Sequence, residues 1–207
     1  MLTRELWPYE KLDTEEAGEV AYDDFWKGMC SYSVASGIIT PLQKKIGGPY
    51  LSLPTEALRF GYGGIANWGT VCGSLIGAAF VVNLICGSGE GQTGDRIINE
   101  LMHWYSKSEL PVYKPRNIDL EIPKTVCNST LCRASVRVWM KKAGCDEYMD
   151  AERRHRCARL SADVAVQTVN FLNQCADGIF KPRHEMSEVP YANNSFVFTK
   201  EVISKVS

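Results

Sequence analysis

Residues 60–86 read FGYGGIANWGTVCGSLIGAAFVVNLIC, and this stretch holds the strongest structural signal in the 207-residue chain. Its first part, residues 61–69, contains four glycines, which permit positive φ angles and close approach of neighbouring backbone. Its second part predicts a helix from Thr70 to Cys86 that is apolar on all sides and is therefore buried. The helix is too short for a membrane span and contains Asn83. We expect it near the centre of a mainly α domain.

Helices are predicted on both sides of this segment. The first begins near Thr14, has an acidic first turn and should end at Pro41. A short helix follows at about 54–60, and a second glycine-rich loop occupies residues 87–94. Apolar residues at helical spacing predict three more helices, which cover residues 95–106, 129–143 and 149–175.

The remaining segments complete the predicted architecture. Residues 107–126 contain three prolines and predict an extended strap over the surface. We expect a compact multi-helix domain over residues 1–180 with glycine-rich loops and this strap. A C-terminal tail over 181–207 should follow, with a short strand at 196–198.

Charge and the N-terminal sequence limit the partners and the compartment. Lys and Arg number 23 against 24 for Asp and Glu, a net charge of −1, so no overall field favours nucleic acid or an anionic membrane. We therefore expect no nucleic-acid partner. The start, MLTRELWPYEKLDTEE, lacks a basic-then-apolar export pattern. The protein should be cytoplasmic if Met1 is the native start, and periplasmic if an export signal has been removed.

Several kinds of site are not supported by the sequence. Residues 89–95 approach a phosphate-binding loop, but Asp95 replaces its lysine and would repel phosphate. The three histidines show no H-x-x-x-H spacing, and no nucleophile–histidine pair can be located. His103 and His155 are the candidates for a haem or a second-metal ligand.

The eight cysteines are the most informative residues in the chain. None forms a C-x-x-C pair or the C-x-x-C-H signature of covalent haem. Cys72 starts a predicted helix, where the dipole favours a thiolate. Cys132 precedes Arg133, and Cys157 lies in RRHRCAR (153–159). Such arginines would offset the negative charge of an iron–sulfur cluster held by four thiolates.

Five pieces of sequence, in order, carry a resemblance. They are WPYEKLDTEEAGEVAY (7–22), KGMCSYSV (27–34), FGYGGIANWGTVCGSLIGAA (60–79), STLCRASVRVW (129–139) and RCARLSADVA (156–165). The chain resembles the redox-active family named after its C, GCAxxG, C and C elements, and within it the split-Soret cytochrome c branch. The resemblance implies a helical, often dimeric and often exported protein with an iron–sulfur centre. It marks as the family cysteines Cys30, Cys72, Cys132 and Cys157.

The sequence and the resemblance together predict an electron-transfer protein, typical of an anaerobe, with one 2Fe–2S or 4Fe–4S cluster per chain. The four family cysteines are its expected ligands, and Cys127 could substitute for Cys132. The residues expected around the cluster are Gly63, Gly64, Gly69, Gly73, Arg133 and Arg156. Covalent haem is not expected.

Other functions and partners stay open at the level of sequence. One alternative is a structural or interaction protein whose cysteines bind zinc or stay free and buried. Another is an enzyme in which the cluster serves a substrate site. We expect a homodimer, with Trp7, Tyr9 and Trp104 available for its interface, and an unidentified redox partner, for which a cytochrome is one candidate.

Overall fold

The computed structural model describes residues 5–89, 92–116 and 118–186. Its regular elements are helices, with two isolated β-bridges and no longer strand among these residues. The mainly α fold predicted from the sequence is confirmed. The strand predicted at 196–198 and most of the predicted tail lie outside the described residues. The helices are α1 Thr14–Lys45, α2 Gly73–Cys86, α3 Thr93–Lys107, α4 Cys132–Ala143 and α5 Ala151–Ala176, with 3-10 helices at Gly48–Ser52 and Thr55–Gly61.

Helix α1 is a hairpin of two arms and not one straight rod. Met29 has φ 65° and ψ −167°, far from helical values, and divides α1 into a first arm (14–28) and a second arm (30–45). A straight helix of this length would hold its ends roughly 45 Å apart. Instead, Lys44 Nζ lies 2.9 Å from Glu16 Oε1. The arms pack so closely that a Cβ on Gly37 would lie 2.7 Å from the carbonyl oxygen of Ala17.

The expectation that Pro41 ends the first helix is wrong. The helix continues through Pro41 to Lys45, although a proline inside a helix costs about 3 kcal/mol. Ile38, Ile39 and Leu42, on the same arm, are completely buried. Burying three such side chains contributes roughly 1.5–3 kcal/mol each, so packing outweighs the break that proline would otherwise cause.

Helix α2 packs against α1, α3 and α5, the central position that its all-round apolar sequence predicted. Gly77 has no room for a side chain, because a Cβ there would clash with the carbonyl of Ser31 on the second arm. The helix starts at Gly73, three residues later than predicted. Val71 forms a β-bridge with Leu131 instead of joining the helix.

The extended segment between α3 and α4 matches the predicted strap. Asp163 on α5 accepts hydrogen bonds from the N–H groups of Val112 and Tyr113, both at 2.8 Å. Trp139 on α4 donates its indole N–H to Pro123 O at 2.7 Å. These bonds satisfy the backbone of the strap and attach it to two helices.

No helix among the described residues has the length and apolarity that are needed to span a membrane.

The aromatic residues proposed for a dimer interface are partly used inside the fold. The main core is the large cluster of buried side chains contributed mostly by α1, α2, α3 and α5. Half-buried against it lie Trp7, Tyr9 and Trp104. The Trp7 ring meets Tyr50 edge-on at 5.0 Å. By contrast, Trp68 in the glycine-rich loop is 81% exposed. The homodimer itself stays a prediction.

Candidate metal centre

The fold brings four cysteines from four separate segments together. Cys30 follows the turn of the α1 hairpin, Cys72 precedes α2, Cys132 begins α4 and Cys157 lies in the first half of α5. All four side chains are buried. The pKa of Cys30 is raised first by burial and then by the charges of Cys157, Cys72 and Cys132. Cys30, Cys132 and Cys157 pack in one cluster of buried side chains, and backbone pairing holds Cys72 beside Cys132.

Backbone pairing places two of these cysteines side by side. Cys72 N donates to Thr130 O at 2.9 Å, and Cys132 N donates to Thr70 O at 2.6 Å. These two bonds flank the Val71–Leu131 bridge. Residues 60 positions apart in sequence are thus held in fixed register, and no local feature of the sequence predicts this pairing.

The glycine-rich loop covers the cysteines with an unusual backbone. Residues 63–67 all have positive φ, and three of them, Ile65, Ala66 and Asn67, are not glycine. Such a conformation costs roughly 1–2 kcal/mol for each L-residue, so the surrounding structure must impose it. The loop turns the N–H of Gly63 toward Cys30, which lowers the Cys30 pKa against the larger effect of burial.

The predicted glycines lie where a side chain would not fit. A Cβ on Gly64 would lie 2.9 Å from Cys132 Cβ, and one on Gly73 would lie 3.0 Å from Cys30 Cβ. A Cβ on Gly69 would lie 2.9 Å from Arg133 Cβ instead. Gly64 and Gly73 therefore border the cysteines directly, whereas a Cβ on Gly63 would meet Asn67.

Two buried arginines supply positive charge to the site. Arg153 and Arg156 are 3% and 2% exposed, and their Nη1 atoms point at Cys157 Sγ from 3.7 and 3.9 Å. No carboxylate of the described residues forms a salt bridge with either, and both Nε atoms are buried without a partner there. A buried cation without an anion is unfavourable by several kcal/mol. The site is therefore built to receive negative charge.

Hydrogen bonds connect Arg156 through Ser135 to Tyr105, which lies beside a second cysteine. Arg156 Nη2 donates to Ser135 Oγ at 2.6 Å, and Tyr105 OH donates to the same oxygen at 3.0 Å. Burial raises the pKa of the Cys72 thiol, and the neighbouring Tyr105 hydroxyl opposes that rise. Sequence reasoning missed Tyr105 and Ser135, because nothing local distinguishes them from core residues. Arg153 could have been found, since it lies one helical turn before Cys157.

Cys30, Cys72 and Cys132 favour the protonated thiol, because burial raises the pKa of each. Burial is the largest cause that raises the pKa of Cys132, followed by the charges of Cys72 and Cys157, while Arg156 and Arg153 oppose the rise. Four thiolates could coexist here only with metal between them, and its binding would release protons. Four cysteine thiolates are a donor set that both iron–sulfur clusters and structural zinc sites use.

A single metal ion and a cluster require different arrangements of four cysteines. Among the described residues, no three His, Cys, Asp or Glu side chains form a group able to hold one metal ion. Structural zinc requires four donors around one ion. A cluster with four cysteines spreads them over two or four irons, so at most two sulfurs need to share one iron. A zinc ion and a multi-iron cluster therefore need different spacings between the four sulfurs.

The other predicted site residues lie elsewhere. Cys127 donates from Sγ to Ser129 O at 2.9 Å and packs against the main core. Arg133 is exposed. The rings of His103 and His184 stack at 3.9 Å beside a cavity of about 590 Å³ along α3.

His155 lies two residues from Cys157 but has other contacts. Its Nδ1 is 2.9 Å from Tyr22 OH, and its ring packs on Trp26 at 4.8 Å. Burial lowers the His155 pKa, and the charges of Arg159 and Arg154 lower it further.

Fold and site together define a helical protein with one buried, arginine-flanked cysteine cluster, a class suited to redox chemistry. The chain belongs to the family described as "Putative redox-active protein (C_GCAxxG_C_C)", whose model matches residues 29–171. The matched range contains all four clustered cysteines.

Two comparisons agree with this membership. The chain is 34% identical over 177 residues to split-Soret cytochrome c from Desulfovibrio desulfuricans, covering 83% of this chain and 62% of that protein. It thus spans less than two thirds of the relative. A solved structure of split-Soret cytochrome c from this organism, described as containing a novel iron centre, superposes with a TM-score of 0.80. That alignment has 32% identity and covers 90% of this chain and 79% of the other.

Proposed function

We propose that this protein transfers electrons through one iron–sulfur cluster per chain, held by Cys30, Cys72, Cys132 and Cys157. The observation that carries the proposal is the meeting of these four buried thiols with two buried arginines that have no carboxylate partner in the described structure. The novel iron centre of the similar split-Soret cytochrome c supports iron as the metal. When bound, such a cluster would accept and release electrons.

The protein's own residues would hold and adjust this group. Arg153 and Arg156 would balance thiolate charge, and the Gly63 N–H would donate to the Cys30 sulfur. Hydrogen bonds to sulfur and nearby positive charge both favour the reduced state, because it carries one more negative charge. The apolar side chains of Phe25 and Val136 pack in the same cluster as three of the cysteines and restrict access of water.

The proposal is tested by metal analysis of cysteine variants after anaerobic purification. We expect iron and acid-labile sulfide in stoichiometric amounts, with a visible spectrum that dithionite bleaches. Cys157→Ser should lose or convert the cluster, because a hard alkoxide replaces a soft thiolate. Cys175→Ser is the matched control, since Cys175 lies on the same helix but is not one of the four. Full iron content and an unchanged spectrum in both Cys72→Ser and Cys157→Ser would refute the assignment.

Zinc and free thiols give different results in the same experiment. Zinc without iron or sulfide, and a colourless protein, would support the structural alternative. We further propose that no covalent haem is attached, since C-x-x-C-H is absent from the sequence. Haem retained after acid–acetone extraction would contradict this. The homodimer, the redox partner and the compartment remain predictions for mass measurement and cell fractionation.

A further inference from the structure

A cavity of about 380 Å³ opens beside the cysteine cluster. Its wall includes Cys132 itself and Gly63, the residue that donates to Cys30. Its size falls within the range of small-molecule sites, which begins near 300 Å³. A molecule in this cavity would lie against the candidate metal centre without being part of its ligand set.

The cavity carries positive charge without a negative counterpart. Arg133 and Arg137 occupy consecutive turns of α4 and both line it. No carboxylate of the described residues lines the cavity or forms a salt bridge with either guanidinium. Asp146 and Glu147 lie in the nearby loop but not in the wall. Guanidinium groups match carboxylates well, because each offers two parallel N–H donors.

The rest of the wall fits a small organic body. Val136 and Met140 supply apolar surface, and the Tyr148 ring forms another side. Tyr148 is held in place by a hydrogen bond from its hydroxyl to Asn67 Oδ1 at 3.2 Å and by Arg153, whose guanidinium lies 4.0 Å from the ring centre. Arg153 also points at Cys157. One contact chain thus connects the cavity wall to the cysteines.

From these features we infer that this cavity binds a small organic carboxylate beside the cluster, with Arg133 and Arg137 holding the carboxylate group. One consequence rests on the proposed function: the bound carboxylate and the redox state of the centre should influence each other. Such coupling is reciprocal. An anion there favours the oxidised centre, because the reduced centre carries more negative charge.

The test uses benzoate as the probe and benzamide as its uncharged control. Calorimetry of the full chain should show saturable binding of one benzoate, and benzamide should bind at least about tenfold more weakly, since hydrogen bonds to a charged group contribute about 1.5–3 kcal/mol. Arg133→Gln and Arg137→Gln should each weaken benzoate binding about tenfold by the same reasoning. Arg96→Gln, on the exposed surface of α3, is the matched control and should bind as the wild type does.

Several outcomes would overturn the inference. They are equal binding of benzoate and benzamide, wild-type affinity in both arginine variants, equal weakening by Arg96→Gln, or no binding of benzoate at millimolar concentration. Arg137→Lys, which keeps the charge, should recover part of the affinity. Binding is measured by heat and does not need iron, so failure to load iron would refute the proposed function and leave this result standing. In iron-loaded protein, benzoate should bind more tightly to the oxidised form.

Discussion

Replacing Arg156 with Met removes one buried charge beside Cys157 while keeping a side chain of similar length. The guanidinium of Arg156 lies 3.9 Å from Cys157 Sγ. At an effective dielectric constant near 20, two unit charges at that distance interact by about 4 kcal/mol. For a one-electron couple this corresponds to roughly 180 mV, since 59 mV equals a tenfold change. The value is an upper limit, because the electron spreads over the whole cluster.

We therefore expect Arg156→Met to lower the midpoint potential by tens of millivolts, up to about 180 mV. The measurement is a spectroelectrochemical titration of the iron-loaded protein. Arg154→Met is the control, because Arg154 lies on the same helix but stacks on Trp26 at 5.3 Å. Arg156→Lys, which keeps the charge, should lie between wild type and Arg156→Met. An unchanged or higher potential in Arg156→Met would refute the role given to this charge.

Two further predictions concern stability. Gly64→Ala should lower the free energy of unfolding by more than the roughly 1 kcal/mol expected for positive φ alone, because its Cβ would lie 2.9 Å from Cys132 Cβ. Gly48→Ala, which has positive φ but open space around it, is the control in urea denaturation. Equal losses of stability in the two variants would contradict the steric argument. Burial raises the pKa of Asp163 to about 7, so between about pH 4 and 7 the folded state binds more protons than the unfolded state and stability falls as pH rises. Asp163→Asn should flatten that slope by up to about 1.4 kcal/mol per pH unit, and a slope identical to that of wild type would disprove the assignment.

The sequence by itself determined the helical class and most helix positions. Helical periodicity and capping are local properties: Asp13, for example, accepts hydrogen bonds from the N–H groups of Glu15 and Glu16 and begins α1 where the acidic first turn predicted it. The all-apolar α2 could be placed at the centre, because such a helix has no face suited to water. The family also followed from sequence, since five ordered pieces carried the resemblance.

Tertiary structure alone decided where the chain reverses and which side chains meet. Gly28 precedes the turn at Met29, but a glycine inside a helical pattern does not by itself predict a chain reversal, and packing between the two arms of α1 holds the turn. Packing also carries the helix through Pro41. The sequence could name Arg133 as a partner of Cys132, but only the fold shows that it faces the cavity while Arg153 and Arg156 face the sulfurs. Tyr105 and Ser135 join the site through contacts between helices distant in sequence, and such contacts have no local signature because they depend on how whole helices pack.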